Sequence, residues 1–115
     1  MNQEAFDWSA ARAARDAGIH QAADHADTVI PKWGDRAFDI LRCFCHRPGG
    51  SREDFTSEDV RRYAKNLGLP DPPHLRAWGG VFQRAARAGL IVKVGTTTAK
   101  ATNVHCAIIA TWRAV

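Results

Sequence analysis

A chain of 115 residues, 45% of them apolar, suits one globular domain and excludes a disordered chain. No run reaches the roughly 18 apolar residues of a membrane span. Net charge is +4, and it is unevenly spread: after Asp71 there are six bases and no acid, while the first 71 residues hold the other ten bases and all twelve acids. A basic end beside a near-neutral one is the electrostatic footprint of a surface for polyanions. The polar start Met1-Asn2-Gln3-Glu4 does not look like a secretory leader. Cys43, Cys45 and Cys106 are an odd number of thiols, which argues against a disulfide framework and for a reduced, cytoplasmic protein.

Residues 9–26 are alanine-rich and predict a helix capped by Ser9, with a thin apolar face. This extension, residues 1–30, is expected to pack on the domain or on a second subunit, forming a homodimer, without touching DNA. After a connector at 27–30, Pro31 fits the first turn of a helix. Trp33, Ala37, Ile40, Leu41 and Phe44 then follow at helical period, until Pro48-Gly49-Gly50 ends the run. Phe55 precedes Thr56-Ser57-Glu58-Asp59, a capping sequence, and is expected to staple onto Val60. Val60, Tyr63, Ala64 and Leu67 form the stripe of the next helix, closed by Gly68. A third amphipathic helix is predicted over residues 74–88, with Trp78, Val81, Phe82, Ala85 and Ala88 inward and Gly89 at its end. Leu90 to Val94 reads as a strand. Gly95 to Asn103 reads as a polar loop and Val104 to Trp112 as a second strand, with Val104, Cys106, Ile108, Ala110 and Trp112 on one face. The fold class is α+β, mainly α. The core is expected to hold Trp33, Ile40, Leu41, Phe44, Val60, Tyr63, Trp78, Val81, Phe82, Leu90, Ile108 and Trp112.

On the helix over 74–88, the face opposite the core carries Arg76, Gly80, Gln83 and Arg87 at i, i+4, i+7 and i+11, flanked by Gly79 and Arg84. Arginine can pair with phosphate or bond guanine, and glutamine can read adenine. Two adjacent glycines inside a helix cost roughly 1 kcal/mol each relative to alanine, so close helix packing or close ligand approach must offset them. The loop at 95–104 offers Thr97, Lys100 and Asn103, with Lys93 at its base, which are phosphate-contacting groups. Competing chemistry is thin. Cys43 and Cys45 lie about 200° apart on a helix and do not suit one metal. The His20/His25 and Glu53–Asp59 groups read as surface and capping charge, so neither a metal site nor a cofactor is expected. No nucleophile elbow, zinc-protease motif or phosphate loop occurs, so no enzyme is expected.

The order helix, helix, tight turn, helix, hairpin over residues 31–115, with the segment RAWGGVFQRAARAGLIVKVG, resembles the winged helix-turn-helix family. Residues 55–95 are also similar to small proteins encoded by phages and mobile elements. The resemblance implies a three-helix core plus a C-terminal β-hairpin wing, with the third helix in the major groove of double-stranded DNA and the wing on its backbone. The implied role is a non-catalytic regulator, or a replication or recombination accessory, of a phage or mobile element. The alternative is a protein-interaction module, such as a phage inhibitor of a host factor.

Overall fold

The computed structural model of the chain describes residues 3–48, 53–99 and 108–115. It contains helices α1 (Gln3–Val29), α2 (Trp33–Cys45), α3 (Ser57–Asn66) and α4 (Arg76–Arg87), then strands β1 (Ile91–Thr98) and β2 (Ile108–Ala114). The molecule is thus α+β and mainly helical. Among the described residues no helix is long and apolar enough to cross a membrane.

α1 is longer than its sequence predicts. It runs through Ser9, the expected cap, and through the expected connector to Val29. Pro31 falls in the turn before α2 instead of in the first turn of that helix. Lys32 there adopts φ 59, and α2 begins at Trp33. The free N–H of Gly34 donates to Asp27 Oδ1 of α1 at 2.7 Å. An exposed backbone donor of one helix is thereby satisfied by the end of the previous one. A Cβ on Gly34 would stand 3.2 Å from that oxygen, so glycine lets the carboxylate in.

α3 starts with Asp59 accepting the N–H of Thr56 at 2.9 Å, one half of a capping box. Both α3 and α4 end as the sequence predicts, on left-handed glycines. Gly68 has φ 86 and Gly89 has φ 77. Leu69 N donates to Ala64 O, and Leu90 N donates to Ala85 O. These are the long bonds of Schellman ends. The turn at Gly68 sends Leu69 into the core and leaves Leu67 out at 57% exposure. Leu67 was expected in the buried stripe, but it sits on the cap residue, where the helix face no longer governs direction. Gly68→Ala is expected to cost about 1–2 kcal/mol through left-handed strain. No neighbour lies within 4 Å of an added Cβ there, so a chemical-denaturation midpoint reads the strain without a clash.

The strands pair antiparallel, Ile91 with Ala114 to Thr98 with Ile108, with a bulge between Lys93 and Gly95. Phe55 makes an isolated bridge to Trp112, exchanging both backbone hydrogen bonds, 2.9 and 2.8 Å. It therefore ties the hairpin to the α2–α3 segment, beyond the staple role expected of it.

The core joins all the helices to the hairpin. Trp33 and Trp78 meet edge to face at 5.2 Å, and the Trp33 indole N–H donates to Pro70 O at 2.9 Å. Phe44 packs on Phe55 and Tyr63, and Phe82 packs on Phe55 and Trp112. Of the twelve expected core residues only Ile108 is exposed, at 74%. It lies at the far end of the hairpin, opposite Thr98.

Candidate functional site

The paired glycines of α4 decide the site. A Cβ at Gly79 would stand 3.3 Å from Ile19 of α1, and one at Gly80 would stand 3.4 Å from Ala23. α1 therefore crosses α4 at the notch these glycines make. Of the two reasons the sequence left open, close helix packing is the one realised. Ala26, one turn further along α1, is fully buried. The extension thus packs on its own domain, as expected.

The face of α4 expected to be open is consequently covered in its middle. Gly80 lies under Ala23 and Ile19. Gln83 is half-buried, and its amide donates to Asp16 Oδ1 of α1 at 3.5 Å. Arg76 and Arg87 remain exposed at either end. A duplex major groove is about 12 Å wide and admits one helix. A helix measures about 10–12 Å across its side chains, so α1 on this face adds about the width of a second helix to α4. The face of α4 expected to be exposed is therefore exposed only at its ends, with Gly80 and Gln83 under α1.

Arg84 points elsewhere. Its guanidinium bonds Asp35 of α2 at 2.8 Å and stacks over the Phe38 ring at 4.1 Å. Thr97 is exposed, but on β1 opposite Ile109, because the strand runs on to Thr98 where a loop was expected. Lys93 is exposed at the hairpin base. Lys100, Asn103, Val104 and Cys106 lie outside the described residues.

Beside the crossing, an open groove of about 940 Å³ runs between α1, the start of α3, α4 and the hairpin. Its walls are mainly apolar: Ile19, Leu75, Phe82, Ile109 and Trp112. Four cations also line it, Arg15, Arg61, Arg76 and Lys93. Among the described residues Arg61, Arg76 and Lys93 make no ion pair, and Arg15 stands 4.0 Å from Asp16. Arg15 and Arg61 were missed in the sequence. The available signal was faint: Arg15 precedes Ile19 by four residues and so shares its helix face.

The chain matches no protein-family model, no curated protein and no solved structure.

Its chemistry must therefore be read from the side chains. Among the described residues no three His, Cys, Asp or Glu side chains group as metal ligands. Burial pushes the Cys45 thiol up, opposed by the nearby Arg47. The raised value keeps the thiol protonated and a poor nucleophile at neutral pH. What the surface offers is positive charge and hydrogen-bond donors beside apolar walls, which is the equipment for binding an anion.

Proposed function

We propose that this chain is a nucleic-acid-binding protein of winged-helix type that holds α1 over the reading face of α4. The order α2, α3, α4, hairpin supports the winged-helix reading, as does the Phe55 bridge that anchors the hairpin to the helices. The observation that carries the function is the set of exposed cations Arg76, Arg87 and Lys93, which make no ion pair among the described residues, in an acid-free C-terminal part. With Lys100 they supply phosphate contacts that need no base readout. Such binding suits a replication or recombination accessory of a phage or mobile element. A regulator reading bases would need α1 to leave.

Binding of a short labelled duplex, followed by fluorescence anisotropy across a salt series, tests this. Log affinity is expected to fall with log salt at about −0.9 per neutralised phosphate. Neutralising Arg76, Arg87, Lys93 and Lys100 together should flatten that slope by about three to four units if each meets one phosphate. Affinity indifferent to the fourfold change would defeat the reading. In that event protein docking moves ahead, because Val92, Val94 and Ile108 leave apolar surface on the hairpin at 49%, 40% and 74% exposure.

A further inference from the structure

The groove holds more than positive charge. Trp78 and Arg61 both line the groove, and among the described residues the indole N–H of Trp78 and the Nε–H of Arg61 have no hydrogen-bond partner, although both nitrogens are closed to solvent. Trp78 is 97% buried, its exposure being 3%. Buried donors are normally satisfied, and leaving one unmet costs free energy. The four cations that line this one groove, Arg15, Arg61, Arg76 and Lys93, call for a ligand carrying negative charge. The walls ask for something different. Ile19, Leu75, Phe82 and Trp112 offer apolar surface that a fully hydrated inorganic ion cannot use. A space of about 940 Å³ is also far larger than such an ion, and it falls in the range of organic-ligand sites.

The geometry points to a binding site for a small organic anion with an apolar body, of the aromatic carboxylate or sulfonate kind. The anionic group is neutralised by the side chains of Arg61, Arg76 and Lys93, which line the groove. The apolar body lies against Ile19, Phe82 and Trp112. Such a ligand touches α1, α3, α4 and the hairpin at once, so it holds α1 onto the domain. This inference shares Arg76 and Lys93 with the nucleic-acid reading but does not need it, since a small probe tests it without nucleic acid.

The test titrates the full chain with 8-anilinonaphthalene-1-sulfonate and, in parallel, with its uncharged analogue N-phenyl-1-naphthylamine. Saturable one-site binding of the sulfonate is expected, with the melting temperature rising as ligand is added, because a ligand of the native state stabilises it. The uncharged analogue should bind at least about ten-fold more weakly. Arg61→Gln and Arg76→Gln should each weaken the sulfonate roughly ten-fold or more, the usual scale for a charge-assisted hydrogen bond. Lys93→Gln, at an exposed position, serves if the Arg61 variant fails to fold, and should also weaken binding. Arg42→Gln, outside the groove and paired with Asp39, should leave it unchanged. Equal binding of the charged and uncharged probes would overturn the proposal, as would sulfonate binding unaltered in Arg76→Gln and Lys93→Gln, or a melting temperature that falls on addition.

Discussion

Phe82→Ala is expected to lower stability by about 3–5 kcal/mol, the usual cost of deleting a buried phenyl ring. Phe82 is 4% exposed and stands between Phe55 at 6.4 Å and Trp112 at 5.6 Å. It is where α4 meets both the hairpin and the Phe55 bridge. Deleting it leaves a space that three separate chain segments would have to close together, and the backbone pairing of Phe55 with Trp112 holds two of them apart. The cost should therefore lie at the upper end of the range. For a domain of this size the melting temperature should drop by roughly 10–20 °C. In urea the midpoint should fall while the slope stays constant, because the same surface is exposed on unfolding. Ile108→Ala, at the far end of the hairpin and 74% exposed, should change stability by less than about 0.5 kcal/mol. A Phe82→Ala loss as small as that of Ile108→Ala would contradict the packing described.

The double change Ile19→Gln with Ala23→Gln is expected to raise affinity for duplex DNA, by about ten-fold or more, although it adds no positive charge. Ile19 and Ala23 are the side chains over Gly79 and Gly80. Replacing them with longer polar groups removes apolar contact at the crossing and overfills the glycine notch. If α4 reads DNA only when α1 is away, apparent affinity scales with the uncovered fraction, and a face covered 99% of the time hides about a hundred-fold. The cost in stability should be modest, about 1–2 kcal/mol, since Ile19 is only half-buried. Anisotropy with a matched duplex, read beside the melting temperature, checks both quantities. Reduced affinity would place α1 itself on the nucleic acid and remove the covering role proposed for it.

Much of this architecture is legible in the sequence because it follows from short-range physics. The helical period of Trp33, Ala37, Leu41 and Phe44 marks α2, and those residues are buried. The glycines at 68 and 89 adopt the left-handed conformation their positions demand. The β-branched run from Ile91 forms β1, and the expected second strand pairs with it, Ala110 opposite Thr96 and Trp112 opposite Lys93. None of these needs a distant partner to be specified. The functional surface does. Helical spacing predicts that Gly80 and Gln83 lie opposite the core, but it cannot say what lies on top of them. That was decided by α1, whose apolar side chains make no continuous stripe and so announce no docking face. Only where Ile19 and Ala23 find the notch at Gly79-Gly80 does that weak face become a contact. Arg84 shows the same limit: its place beside Arg87 suggests a shared surface, yet Asp35 and Phe38 hold it against α2. The groove depends on long-range contacts throughout. Arg15, Arg61, Arg76 and Lys93 come from four elements, and no local pattern links them. Charge composition alone determines that a positive surface exists. The tertiary structure decides which cations face one another and which helix face stays open, because those depend on packing between segments far apart in the chain.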